Sequence, residues 1–276
     1  MNKKTTRSRW LLTTLLLVAA IAMPSIVWAA ITPSKPANGD GTSSSPYQIS
    51  NAAELYWFAE LVNNTKLGST ANYCAKLTAD ITVNSGVLNP DCTLNTTNSG
   101  SFTAWTPIGN SSIPFSGTFD GDNHTISGLY FNDSSSDYVG LFACNNGSIE
   151  NVGIIDSYFN GKYYVGGVCG CNSVSLFVIN DINTEASISN CYNTGTVCGN
   201  SYVGGVCGKN YARLSSGTKI TTAAVIITGC HNEGSVSGAG YVGGVCGENS
   251  AAAGSSVKIS SADIQYCYNI GIVSGT

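Results

Sequence analysis

A short segment marked by glycine and cysteine recurs four times in this chain, and it limits the possible folds more than any other feature. The copies begin at Tyr138, Tyr164, Tyr202 and Tyr241, so their starts are separated by 26, 38 and 39 residues. The last three copies read Tyr-Val-Gly-Gly-Val-Cys-Gly. A repeat period of tens of residues is typical of a solenoid, in which each repeat buries its apolar face against its neighbours.

A second module follows each copy and begins at Ile149, Ile188, Ile227 and Ile264. In its last three occurrences it continues as Cys-x-Asn-x-Gly-x-Val. Both modules are short, rich in β-branched residues and ended by Gly or Asn, which tolerate the positive φ of tight corners. We therefore predict an all-β fold, a parallel β-helix (β-solenoid), whose structural repeat positions are Gly166, Gly167, Gly204, Gly205, Gly243 and Gly244.

The stretch before the repeats has a helical pattern. Leu55, Phe58, Ala59 and Val62 form one apolar stripe, and Asn51 with Glu54 forms a capping-box-like start. We predict an amphipathic capping helix over 51–66, a linker over 30–50 and β-helix repeats over 67–276. The stretch from Ala75 to Val83 reads as one strand. Because the chain stops where the next Tyr-Val-Gly-Gly would come, we expect the repeats to continue beyond Thr276 and the chain to be a fragment.

The first residues have the pattern of a secretory signal peptide. Basic residues precede an apolar stretch from Leu11 to Ile26, and Val27-Trp28-Ala29 offers a cleavage site, so we predict removal of 1–29. The mature chain then has 8 basic and 16 acidic residues. An acidic chain without a basic patch is a poor partner for nucleic acid. We expect a secreted or cell-surface protein with no membrane span after cleavage.

Eleven cysteines are many for an exported chain, and six of them fall into two repeat columns. One column holds Cys169, Cys207 and Cys246, with Ala143 as its earlier occupant; the other holds Cys191, Cys230 and Cys267, with Val152 before them. Ala and Val at equivalent positions favour small buried hydrophobic groups, which thiols can be. We expect stacked free thiols, although isolated disulfides are possible in an oxidising compartment, with Cys74 and Cys92 as the first candidate pair and Cys169 and Cys171 as the second.

At these residues the chain resembles the GLUG-motif repeat family of bacterial cell-surface proteins. The resemblance rests on the segments that begin at Val165, Val203 and Val242, and on the block from Phe115 to Ile126, which contains Phe-Asp-Gly. It covers roughly Gly39 to Thr276. It implies an adhesin-like surface protein; the family also occurs beside the catalytic domain of some IgA-cleaving metallopeptidases. Cysteine at Cys169, Cys207 and Cys246 departs from the apolar residue that is usual there.

Residues that could carry catalysis are scattered along the sequence. Asp156, Glu233 and Glu248 occur once per region, whereas carbohydrate-active β-helices cluster their carboxylates. His124 and His231 are far apart, so we expect no metal site and no cofactor. The segment from Asp120 to His124 superficially resembles a calcium loop, but we interpret it as a tight turn between two strands. We expect the protein not to be an enzyme.

The links between the two modules are 18, 19 and 17 residues long after the last three repeat copies, against 5 after the first, so three coils carry an insertion at the same corner. The insertions are 173–184, 210–222 and 249–261. They either project as a binding face or lengthen the strands. Tyr164, Tyr202 and Tyr241 are the candidate binding residues, because a stacked aromatic column can bind sugars or simply brace the coils. We expect an adhesin-like module that binds a host or matrix protein or a glycan. The alternatives are a carbohydrate-active β-helix enzyme, a lyase or hydrolase, and a structural stalk that presents another domain.

Overall fold

The computed structural model describes residues 31–67, 71–176, 184–214, 222–253 and 259–275. Within them the chain winds into successive coils of short strands. Each strand pairs in parallel with its equivalents in the neighbouring coils. The protein is a parallel β-helix, which confirms the prediction from the repeats.

The early coils are short and irregular. They contain β1 (Tyr47–Ile49), helix α1 (Ala52–Asn63), β2 (Ala75–Leu77) and β3 (Ile81–Thr82). A 3₁₀ turn at Ser99–Ser101 lies in the connection to the next coil. That coil contains β4 (Thr118–Asp120), β5 (Thr125–Ser127), β6 (Tyr130–Asn132) and β7 (Phe142–Asn145).

The later coils repeat one five-strand plan. The first is β8 (Ser148–Glu150), β9 (Gly153–Ile155), β10 (Tyr158–Asn160), β11 (Tyr163–Gly166) and β12 (Cys169–Leu176). The second is β13 (Thr184–Ser189), β14 (Tyr192–Asn193), β15 (Thr196–Cys198), β16 (Ser201–Gly204) and β17 (Cys207–Leu214). The third is β18 (Thr222–Thr228), β19 (His231–Asn232), β20 (Val236–Gly238), β21 (Gly240–Gly243) and β22 (Cys246–Ala253). The last described strands are β23 (Ile259–Gln265), β24 (Tyr268–Asn269) and β25 (Val273–Gly275).

Five parallel sheets run along the solenoid, one for each strand of the coil. Their strand orders are β1-β2-β4-β8-β13-β18-β23, β3-β5-β9-β14-β19-β24, β6-β10-β15-β20-β25, β11-β16-β21 and β7-β12-β17-β22. In-register pairing places equivalent residues in columns: Ile149, Ile188 and Ile227, for example, are adjacent and fully buried. One continuous apolar core therefore fills the centre of the coils.

Two columns of buried asparagine lie inside the corners. In one, the Nδ2 of Asn145, Asn172 and Asn210 each donates to the Oδ1 of the next asparagine at 2.8 Å, ending at Asn249. In the other, Asn193 donates to Asn232 at 2.9 Å and Asn232 donates to Asn269 at 2.8 Å. A side chain with a donor on one side and an acceptor on the other can repeat without limit along a solenoid, so burying it leaves few polar atoms unpaired.

The paired glycines of the repeat are explained by close contacts with the backbone and with the second asparagine column. A Cβ on Gly166 would collide with the carbonyl oxygen of Cys169. A Cβ on Gly167 would lie 2.5 Å from the Cγ of Asn193, far inside van der Waals contact. Any side chain at these positions would force the fourth and fifth sheets away from the core.

Helix α1 covers the apolar end of the first coils. It begins after Asn51, whose Oδ1 accepts from the backbone N–H of Glu54 at 3.0 Å, and the Glu54 carboxylate accepts from Ser50 N–H at 2.7 Å. Its buried face consists of Leu55, Phe58, Ala59 and Val62, the residues of the sequence stripe. Phe58 lies 6.0 Å from Phe119, ring centre to ring centre, and so seals the core.

Three boundaries differ from the sequence prediction. The helix ends at Asn63 rather than Lys66, and the predicted linker contains β1, which pairs with β2. Ala75 to Val83 forms two strands, because a solenoid corner separates Leu77 from Ile81. The predicted signal peptide, 1–29, lies outside the described residues. In the described residues, no helix combines the length and apolarity needed to span a bilayer.

The described parts of the insertions lengthen strands, and the lengthened strands project together. Beyond the corner, β12, β17 and β22 face β13, β18 and β23 as a two-layered extension, here called the fin. Its interior is a separate small core, to which Val174, Ala186, Ala212, Ala223 and Val225 contribute. The insertions therefore lengthen the strands of the fifth and first sheets and also project from the solenoid.

We predict that Asn172→Ala lowers the free energy of unfolding by about 1–3 kcal/mol, because a buried hydrogen-bonding partner of Asn145 and Asn210 is lost. The matched control is Asn160→Ala, which removes an exposed link of the same kind, the 2.8 Å bond to Asn132. It should change stability by less than about 0.5 kcal/mol. Denaturant unfolding measures both. Equal effects of the two substitutions would show that burial of the column does not matter.

Candidate functional site

A column of four tyrosines, Tyr138, Tyr164, Tyr202 and Tyr241, runs along one outer corner of the solenoid and is here called the tyrosine column. Successive ring centres lie 4.7, 4.9 and 4.8 Å apart, with planes tilted by 18° or less. All four residues have positive φ, from 50° to 61°. This left-handed conformation costs a bulky side chain roughly 1–3 kcal/mol, whereas Gly or Asn would adopt it more cheaply.

Stacking decides which part of each ring can meet a ligand. Tyr164 and Tyr202 have neighbours on both faces, so they present their edges and hydroxyl groups. Tyr241 is 62% exposed, and among the described rings it has a stacking partner on one face alone. Of the three sequence candidates, therefore, Tyr241 alone offers a ring face in the described structure, and the column acts mainly as a row of hydroxyl groups.

The outward residues of the fifth sheet run beside the tyrosine column. In-register pairing aligns Cys144, Cys171, Lys209 and Glu248. The Lys209 Nζ lies 3.2 Å from Glu248 Oε1 and 4.4 Å from the ring centre of Tyr211. Burial opposes the charge of Lys209, but the hydrogen bond to Glu248 and that carboxylate's charge raise the pKa of the lysine above its ordinary value. Glu248 thus balances the charge of this lysine.

A cleft of about 430 Å³ lies where the fin meets the coil that contains β4 to β7, and it is here called the tyrosine cleft. Tyr138 and the loop Ser111–Pro114 form one side, and the fin residues Ser173, Tyr211 and Arg213 form the other. Cys144, Asn146 and Cys171 also line it. Its volume falls within the range of small-ligand sites. The signal that sequence reasoning missed is Arg213, the one arginine of the predicted mature chain, which belongs to an insertion.

The cleft thiols are poorly ionised. Burial raises the pKa of the Cys171 thiol to about 11, although the hydrogen bond from Ser173 and the charge of Lys209 act in the opposite direction. Burial also raises the pKa of Cys144 well above its usual value. Both side chains therefore line the cleft as neutral, weakly polar groups at neutral pH.

The two predicted cysteine columns form in the structure. Cys207 pairs with Cys169 and with Cys246, and all eleven cysteines of the chain are free thiols, including Cys74 and Cys92. The Sγ atoms donate to backbone carbonyls, as Cys191 does to Ser189 at 3.2 Å. One assignment was wrong: Phe142, not Ala143, lies opposite Cys169, because the copy that begins at Tyr164 has one more residue before this pairing.

The carboxylates singled out in the sequence are spread over the solenoid. Asp156 accepts three backbone N–H groups, from Gly86, Val87 and Leu88, and so fastens that loop to the solenoid. Glu233 lies 3.6 Å from His231, which is stacked between Tyr192 and Tyr268. Asp120 to His124 includes a tight turn between β4 and β5, with Asp122 and Asn123 at positive φ.

Another pair of carboxylates, unforeseen from the sequence, lies on the outer face of the first sheet. Asp120 and Glu150 are in-register neighbours beside Lys76, and they line a shallow cleft of about 180 Å³. Partial burial, followed by the charge of Asp120, raises the pKa of Glu150 above its ordinary value. Within the described ranges, no three His, Cys, Asp or Glu side chains lie together in an arrangement that could hold a metal ion.

The fold and the site together define a parallel β-solenoid with a polar aromatic cleft. Known proteins resemble this chain in sequence or in fold. No protein-family model matches the chain. It is 32% identical over 166 residues to halomucin of Haloquadratum walsbyi, and this match covers 59% of the chain. It is 27% identical over 154 residues to a "Putative Gly-rich membrane protein" of Evansella cellulosilytica, which covers 54% of the chain.

These matches take in small parts of the relatives, 2% of halomucin and 15% of the Evansella protein. A solved structure from Bacteroides ovatus, described as a "putative immunoglobulin A1 protease", superimposes with a TM-score of 0.52 at 23% identity. The superposition covers 86% of this chain and 79% of that one. At this identity the similarity shows the fold alone.

We predict that alkylation of Cys171 is slow at pH 7 and accelerates about tenfold per pH unit up to about pH 10, because the thiolate is the reactive form. Mass spectrometry after timed iodoacetamide labelling measures the rate. The half-exposed Cys92 and Cys198 serve as accessible references, and denatured protein shows full labelling. A fast rate that does not change with pH would contradict the buried, protonated thiol.

Proposed function

We propose that this chain is a non-enzymatic, exported surface protein of the GLUG-repeat type whose solenoid recognises a glycan, and that the tyrosine cleft is the recognition site. The observation that carries the proposal is the composition of the cleft. It combines the aromatic rings of Tyr138 and Tyr211 with the hydroxyl groups of Ser111, Ser112 and Ser173. Sugars are bound by this combination, because they have apolar C–H faces and hydroxyl edges.

The position of the cleft adds support. It lies at the base of the fin, so the insertions that distinguish the later repeats supply one of its walls. The neighbouring tyrosine column extends away from the cleft along the coils and presents further hydroxyl groups. A polymer could therefore lie across the cleft and along the column, with Tyr164, Tyr202 and Tyr241 contacting its more distant units.

Export and a surface location are part of the same proposal. The signal-peptide pattern of 1–29 and the acidic, sparsely charged mature chain support it. The name of the Evansella relative, a membrane protein, is in keeping with a place at the cell envelope. Repeats of this kind also suit extracellular proteins because a solenoid offers a long, rigid surface.

We predict that the chain spanning 30–276 binds oligosaccharides on a glycan array and that Tyr211→Ala weakens this binding about tenfold, because one wall of the cleft loses its ring. Tyr163→Ala is the matched control, since Tyr163 contacts Lys162 and does not line the cleft. It should leave affinity within about twofold. Calorimetry on the best array ligand gives both affinities.

A panel of extracellular matrix proteins is screened in parallel. If the chain bound a matrix protein and no glycan, the ligand of the site would be a protein and the glycan proposal would fail. A folded chain that binds neither would favour the stalk function, in which the solenoid only presents another domain. Equal losses in Tyr211→Ala and Tyr163→Ala would place the binding site elsewhere.

Asp120 and Glu150 favour one second candidate, a carbohydrate-active enzyme. A carboxyl group whose pKa is raised, with a second carboxyl group beside it, is the arrangement used for acid–base cleavage of sugars. For this candidate, the chain would release reducing ends from a polysaccharide and Glu150→Gln would abolish the release. If the unsubstituted chain released no reducing ends from any member of a polysaccharide panel, the enzyme candidate would be excluded and the binding function would remain.

A further inference from the structure

The tyrosine cleft carries a positive charge, whereas the predicted mature chain as a whole is acidic. Arg213 lines the cleft, and none of the described lining residues is a carboxylate. Among the described residues, Arg213 has no ion pair. The nearby Lys209 is already neutralised by Glu248 at 3.2 Å. One guanidinium thus supplies the net charge of a cleft in a protein that is otherwise acidic.

The fold explains why this guanidinium is free to meet a ligand. Arg213 lies on the lengthened part of β17, and in-register pairing places it between Ser175 and Ala252 of the adjacent coils. Neither neighbour is acidic, so the column offers no partner across the coils. This differs from the adjacent outward column, where Lys209 pairs with Glu248.

We propose that the tyrosine cleft selects sugars that carry a carboxylate and that Arg213 binds this group. The inference rests on the proposed glycan-binding function. A guanidinium presents a planar pair of N–H donors that matches the two oxygens of a carboxylate. The hydroxyl group of Ser173 and the amide of Asn146 serve the neutral part of the sugar, and the rings of Tyr138 and Tyr211 pack against its C–H face.

Because the chain is acidic overall, a preference for anionic sugars would point to a specific contact in the cleft. The predicted mature protein has 16 acidic residues against 8 basic ones, so a polyanion is repelled by the surface as a whole. Preference for an anionic sugar must therefore come from a local contact. A single arginine balances one negative charge, which suits an isolated uronic or similar acid unit better than a densely charged polymer.

The test compares pairs of oligosaccharides that differ only in a carboxylate, such as glucuronate- and glucose-terminated forms, with a sulfated form as a third arm. We expect the chain spanning 30–276 to bind the carboxylated form at least about tenfold more tightly than the neutral one. Arg213→Gln should remove this preference and keep the affinity for the neutral sugar. Arg213→Lys should retain part of it, because lysine keeps the charge but lacks the planar donor pair.

Lys162→Gln is the matched control, because it removes a positive charge outside the cleft, and it should preserve the preference. Thermal unfolding verifies that each variant is folded. Equal binding of neutral and carboxylated sugars would overturn the inference and leave the glycan function standing. A preference for the sulfated form, or one that survives in Arg213→Gln, would also overturn it. Failure to bind any sugar would overturn both proposals.

Discussion

Parallel pairing between coils holds each residue directly beside its equivalent in the next coil, about 4.8 Å away. Every outward or inward position therefore becomes a column, in which each side chain must suit those directly above and below it. Asparagine can repeat, because it donates in one direction and accepts in the other, as Asn172 does between Asn145 and Asn210. Charged residues are stabilised by a partner of opposite charge in the column, as Lys209 is by Glu248 and as Asp120 is by Lys76.

The same constraint explains the tyrosine column. Each tyrosine has a backbone conformation that is unfavourable for a bulky residue. Tyr164 and Tyr202 gain two stacking contacts each, and Tyr138 and Tyr241 gain one, worth about 0.5–1.5 kcal/mol per contact. Another corner with positive φ is occupied by Asn151, Asn190 and Gly229, for which this conformation costs less, and by Tyr266 in the last described coil. In the tyrosine column, the periodicity of the coil supplies stacking contacts that offset the strain.

The candidate binding site arises where periodicity is interrupted. The coil that contains β4 to β7 turns back after Asn145, whereas the next three coils continue into the fin, and the tyrosine cleft lies at this step. Tyr138 and Asn146 come from the short coil, and Tyr211 and Arg213 come from the long ones. Arg213 lies one coil beyond the step, between Ser175 and Ala252, and lines the cleft together with residues of the short coil. The proposed recognition site therefore combines residues from coils of unequal length.

The sequence by itself determined the architecture, because the spacing of Tyr-Val-Gly-Gly and of Cys-x-Asn-x-Gly is the period of the coil. It also indicated the capping helix from the stripe of Leu55, Phe58 and Val62, and the two cysteine columns. The offset that places Phe142 opposite Cys169 arises because the first copy has the single glycine Gly140 where the later copies have two, so a residue-by-residue alignment of the copies misses it. Only the tertiary structure brought Arg213, Tyr211 and Ser111 together. Ser111 lies 100 residues before Tyr211 in the chain, and its proximity to Tyr211 and Arg213 depends on how a loop and unequal coils stack.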